Sequence, residues 1–112
     1  MNNNEYYIRG KIVAICEAVL ADEIGIIAAS RYLSALGLEL FEGRHEDFIT
    51  FDAVDSETDD LPVNAERKNW NDEALKQKDQ EIAAAEALYK NDVTAACRKL
   101  IEQFAIQNGF EL

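Results

Sequence analysis

Ile8, Ile12, Ile15, Cys16, Val19 and Leu20 recur at intervals of three and four along residues 5–21, the spacing that lays one apolar stripe along a helix. Asn2 to Asn4 stand where the orphan amides of its first turn need acceptors. The pattern resumes after Asp22, placed to cap a second helix with Ile24, Ile27, Ala28, Leu33 and Leu36 on its apolar face. Gly37 followed by Leu38 reads as a left-handed stop with its hydrophobic contact. The next segment has an ambiguous period. Phe48, Phe51 and Val54 fit a short helix, whereas Ile49, Phe51 and Ala53 alternate with Thr50 and Asp52 as a strand would. A short helix is the better assignment, because no second segment offers a lone strand a partner. "SETDDLP" then reads as loop, punctuated by Pro62.

From Asn71 the periodicity is clearest. Asp72 and Glu73 fall in a first turn, and Leu75, Ile82, Ala85 and Tyr89 share one face. Beyond Asn91 and Asp92 the stripe continues through Val93, Ala96, Cys97, Leu100, Ile101 and Phe104 until Asn108 and Gly109. Pattern leaves open whether residues 72–107 form one helix or two. The expectation is an all-α fold, a small helical bundle of about four to five helices with an acidic central loop, in a single domain spanning residues 1–112.

Composition supports a self-folding domain: 112 residues, 48% apolar and 29% charged, are ordinary for a globular chain. No run approaches the ~20 apolar residues that span a bilayer. The start "MNNNEYYIRGK" lacks the pattern of a secretory leader, so the expected location is cytoplasmic. Cys16 and Cys97 sit among apolar residues at helical spacing, the usual setting of buried, reduced thiols.

Charge changes the picture more. A net charge of −11 repels nucleic-acid phosphates and anionic membrane surfaces, so neither is expected as a partner. The excess is local. From Glu39 to Asp60 nine acids face Arg44 alone, whereas Pro62 to Leu112 holds nine acids and seven bases. The stretch "FDAVDSETDDLPVN" (51–64) carries Asp52, Asp55, Glu57, Asp59 and Asp60 with no base among them. Like charges this close oppose folding, and a cationic protein surface would reverse the sign of their contribution.

The inventory for chemistry is thin. The one histidine, His45, has no serine or cysteine nucleophile beside it, and there is neither a glycine-rich phosphate loop nor zinc-ligand spacing. No enzyme activity, catalytic residue, metal or cofactor is expected. Calcium is the rival. Asp55, Glu57, Asp59 and Glu66 fall at positions one, three, five and twelve of an EF-hand-like loop, but Asp60 stands where the sharp turn wants glycine and Pro62 precedes the water-bridged ligand. A calcium-binding regulatory module using the 55–66 loop, or a small structural protein, are therefore the alternatives. Among the aromatics, Tyr6, Tyr7, Tyr32, Phe41, Phe48 and Phe51 are mainly core candidates. Trp70, following Arg67 and Lys68, is placed to anchor the base of the acidic loop and to meet a partner.

Across "DSETDDLPVNAERKNWNDEALKQKDQEI" and "AACRKLIEQF" the sequence resembles small acidic bacterial immunity proteins of contact-dependent growth inhibition and related polymorphic toxin systems. Ser56, Glu57, Thr58, Asp59, Leu61, Pro62, Arg67 and Trp70 carry the resemblance, which covers roughly the second half of the chain. It implies a cytoplasmic antidote that binds a cognate basic toxin domain, often a nuclease, and has no chemistry of its own. On that reading Asp52, Asp55, Glu57, Asp59 and Asp60 meet basic toxin residues, Glu42, Glu46 and Asp47 assist, and Trp70 anchors the loop. Arg67 is the candidate to hold the loop by pairing with one of its carboxylates.

Overall fold

The computed structural model describes residues 2–107. Among them are four α-helices, α1 (Asn3–Leu20), α2 (Ile26–Phe41), α3 (Ile49–Glu57) and α4 (Asp72–Gln107), with short 3-10 segments at Glu46–Phe48 and Asn64–Asn69 and no strand. The chain is thus all-α, as its periodicity predicts. The stop expected at Asn108 and Gly109 lies outside the described residues.

In α1 the expected stripe faces inward through Ile8, Ile12, Cys16 and Val19, while Leu20 is exposed. The Asn2 carboxamide oxygen accepts the Glu5 amide at 2.8 Å, which satisfies one orphan donor of the first turn.

The second helix departs from expectation at both ends. Asp22 sits in the left-handed region at φ 58° and caps nothing; α2 begins at Ile26 behind Gly25, which has no side chain to offer. The cap comes from α4. Glu86 accepts the Ile26 amide at 2.8 Å through Oε1 and the Ile27 amide at 2.6 Å through Oε2, placing a carboxylate on the positive end of the helix. Replacing Glu86 with Ala is expected to cost about 1.5 kcal/mol, the usual size of a lost charged cap, as a lower urea midpoint at unchanged m-value.

Nor does Gly37 stop α2. The helix runs on to Phe41, and the left-handed residue is Glu42 at φ 55°, with the Gly43 amide closing onto the Leu38 carbonyl at 3.2 Å. Gly37 serves packing instead. A Cβ there would lie 2.5 Å from Cδ2 of the buried Phe48 ring. That ring continues an aromatic row, 5.9 Å from Phe41 and 5.9 Å from Phe51 between centroids.

The expected acidic central loop is mostly helix. Asp52, Asp55, Ser56 and Glu57 lie in α3, and only Asp59 and Asp60 occupy the turn that follows. Burial decides the conformation: Phe51 and Val54 are no more than 1% exposed on the inner side of α3, and burying such side chains is worth ~2 kcal/mol each. Clustered charges on the solvent side oppose this more weakly, because water screens them.

Residues 72–107 form one helix. Asn71 Oδ1 accepts the Ala74 amide at 2.8 Å at its start, and Asn91 and Asp92 remain exposed helical residues. Their intrinsic cost is a few tenths of a kcal/mol each, far below the gain from Val93, Cys97, Leu100 and Phe104, all buried on the next turns. One core cluster draws on all four helices. Before Val93, by contrast, no α4 residue is fully buried, and the first half of the helix meets the core only through half-buried side chains such as Tyr89. Among the described residues no helix is long and apolar enough to cross a membrane.

Candidate functional site

Where α3 ends, the chain turns at Thr58–Leu61 and returns along the first turns of α4, leaving an open cleft of about 610 Å³. Arg31, Asp55, Asp59, Asp60, Glu66, Trp70 and Lys78 supply its polar and aromatic lining, and Leu61 and Pro62 its buried floor.

Arg31, projecting from α2, organises the cleft. One guanidinium nitrogen donates to Glu66 Oε1 at 2.6 Å, and the other donates to the carbonyls of Thr58 at 2.5 Å and Leu61 at 2.7 Å. Nε lies 3.7 Å from Asp55 Oδ1. A planar fork suits this task, since one side chain gathers two carboxylates and two carbonyls from three consecutive segments. Arg67, the expected partner of a loop acid, bonds elsewhere. It binds Asp79 on α4 at 2.8 and 3.2 Å and the Pro62 carbonyl at 3.2 Å, tying the returning segment to the long helix. Lys78 bridges Asp60 and Glu81, each at 3.3 Å, and stands 5.8 Å from the Trp70 ring centroid.

The predicted partner-binding residues divide. Asp55, Asp59, Asp60 and Trp70 share the cleft, and Glu57 is exposed on the neighbouring turn of α3. The others lie apart. Asp52 accepts the Ser34 hydroxyl at 2.5 Å, Asp47 pairs with Lys99 at 3.2 Å beside the exposed Glu46, and Glu42 is the left-handed cap of α2. His45 stacks on Phe41 at 3.9 Å, and its Nδ1 accepts the Asp47 amide at 3.2 Å; it is a half-buried cap of the first 3-10 segment. The calcium spacing is not assembled: positions one and twelve, Asp55 and Glu66, both face the Arg31 guanidinium. Among the described residues no three His, Cys, Asp or Glu side chains are grouped to hold a metal ion.

Two carboxylates are held below their ordinary range, Glu66 in the cleft first by the Val63 amide and then by Arg31, and Asp79 on α4 by Arg67. Depressed carboxylates stabilise the fold above their unfolded pKa of about 4, and the contribution disappears as pH falls through the lower folded values. The urea midpoint should therefore decline below about pH 4, with the 58–70 segment losing amide protection first; protection there unchanged down to pH 2 would contradict this.

The anchors of this site, Arg31, Asp79 and Lys78, escape sequence reading because their partners are 12 to 35 residues away. Only the isolated charge of Arg31 in the otherwise uncharged stretch "IGIIAASRYLSAL" signals it. No curated protein and no solved structure matches the chain. A family model described as "Protein of unknown function (DUF2489)" matches residues 1–100, and the chain belongs to that DUF2489 family.

Proposed function

We propose that this protein is a binding module that captures a basic protein, and specifically an immunity protein that neutralises a cognate basic toxin domain such as a nuclease. The observation that carries the reading is the cleft itself: Asp55, Asp59 and Asp60 are set around the partly exposed Trp70 by a framework that Arg31, within the cleft, and Arg67, beside it, hold together. An arginine or lysine side chain of the partner fits that chemistry, with carboxylates for its charge and an aromatic face for its stem or plane. Arg31 and Lys78 also line the cleft and pair with Asp55 and Asp60, while the exposed Glu57 and Asp59 keep the end of α3 and the turn after it acidic. Complementary charge of this kind accelerates encounter, as an antidote requires. The calcium alternative has no comparable support, because an arginine occupies the space between its end ligands.

Co-expression with basic toxin domains, nucleases first, tests the reading. Protection of the cell, together with a complex whose affinity falls as salt rises, is the expected result. The double substitution Asp59→Lys with Asp60→Lys should weaken the complex about tenfold or more at low salt, mainly through slower association, and lower Tm by only a few degrees, because the Asp60–Lys78 pair that it reverses is exposed at the carboxylate. Binding indifferent to both ionic strength and this charge reversal would overturn the proposed surface.

A further inference from the structure

The two cysteines stand directly opposite each other across the central helix pair. In the first half of α1 the Arg9 guanidinium lies 4.8 Å from the Phe104 ring, and just past the helix's C-terminal end Asp22 is 3.8 Å from Lys90. These two contacts fix α1 and α4 as antiparallel and set their register. Seven residues on from Arg9 is Cys16, and seven back from Phe104 is Cys97; two helical turns on each side bring them to one layer. Both are fully buried free thiols in the same core cluster.

We infer that Cys16 and Cys97 form a redox-sensitive clasp, a buried dithiol that closes to a disulfide tying α1 to α4 when a small-molecule disulfide is the oxidant. This does not depend on the acidic cleft or on its partner. The chemistry is two exchanges. Once α1 and α4 part, the Cys97 thiol loses its proton, and the thiolate attacks one sulfur of glutathione disulfide and releases one glutathione thiolate. Cys16 then gives up its proton and attacks the Cys97 sulfur of the mixed disulfide, releasing the second glutathione. One S–S bond breaks and one forms, the two thiols are oxidised, and their protons end on two glutathione thiols. Full burial means that the first exchange waits for α1 and α4 to part transiently, so the clasp responds to sustained oxidation on a scale of hours. A link between residues 16 and 97 closes most of the chain into one loop, the case in which a disulfide restricts the unfolded state most.

The test incubates the reduced, folded protein with glutathione disulfide, both in buffer and at a urea concentration just below the unfolding transition. Intact mass and non-reducing peptide maps then follow the thiols. The expected product has lost two hydrogens, joins the Cys16 and Cys97 peptides, reverts with dithiothreitol, and melts at least several degrees above the reduced form. Cys16→Ser and Cys97→Ser should each stop at a single glutathione adduct. Three outcomes would each overturn the clasp: thiols still free under both conditions, only glutathione adducts or intermolecular dimers from the parent protein, or an internally linked form that melts below the reduced one.

Discussion

Arg31→Leu should lower stability by about 3 kcal/mol, the largest effect expected of any substitution at the cleft. Leucine keeps much of the apolar stem's packing, so the loss isolates the guanidinium. Its removal strands the Leu61 carbonyl, takes the charged donor from the Thr58 carbonyl, which keeps only the Leu61 amide at 3.0 Å, and leaves Asp55 and Glu66 without their cation, in a turn where Thr58 and Leu61 are only 2% and 6% exposed. The stranded Leu61 carbonyl costs ~1–3 kcal/mol, reduced where the opened turn admits water, the charge-assisted bond lost at Thr58 adds about 1.5 kcal/mol, and the half-exposed Glu66 pair adds little because solvent screens it. A loss near 3 kcal/mol corresponds to a fall in Tm of roughly 10–20 °C for a domain of this size. Arg31→Lys should recover less than half, because a single ammonium cannot reach four acceptors spread over a planar fork. Glu66→Gln, by comparison, should cost under about 1 kcal/mol. Urea unfolding measures all three. Equal stability of the Leu and Lys variants, or a loss below about 1 kcal/mol for Leu, would show that the carbonyl contacts do not hold the turn.

Gly37→Ala comes next, and its sign is the informative part. In an exposed helix interior this change stabilises by about 1 kcal/mol. Here the new methyl would meet three carbons of the Phe48 ring at 2.5, 2.7 and 3.0 Å. Phe48 is 2% exposed and packed between Phe41 and Phe51, so the ring has nowhere to go without moving α3. Overpacking of this severity costs ~3 kcal/mol, for a net loss of about 2 kcal/mol and a Tm lower by roughly 10 °C. Phe48→Leu removes the ring, so in that background Gly37→Ala should be neutral or stabilising. The double-mutant cycle reads the coupling directly. Equal costs in both backgrounds would mean that Gly37 is needed for its backbone and not for the space it leaves.

Both results bear on the cleft. Phe48 against Gly37 sets where α3 lies on α2, and Arg31 sets where the chain goes after α3. The position of Asp55, Asp59 and Asp60 relative to Trp70 follows from those two contacts.

Much of the fold is written locally. Spacings of three and four define the inner faces of α1, α2 and α4, because a helix repeats every 3.6 residues whatever it packs against. The all-α class and the reduced, buried cysteines follow from the same pattern. Local chemistry also marks Asn2 as an acceptor at a helix start and Asn71 as the place where the last helix begins, since a cap needs only neighbours three residues away. The misread positions are those whose role is set by distant groups. Gly37 has the composition of a stop but serves as a socket for Phe48. Asp22 resembles a cap, yet Glu86 performs that task from 60 residues away. The acidic stretch has the charge of a loop, but Phe51 and Val54 bury one side of it and so wind most of it into α3.

For the site, sequence determined the charge: an acidic segment next to a tryptophan, with no base between Arg44 and Arg67. Only the tertiary structure decided which of those acids stand together, because Asp47 and Asp52 turn to Lys99 and Ser34 while Asp55, Asp59 and Asp60 gather at the cleft. Charge is a sum over residues and is legible in any order. Convergence of side chains from three segments depends on packing between residues far apart in the chain, and no local pattern encodes it.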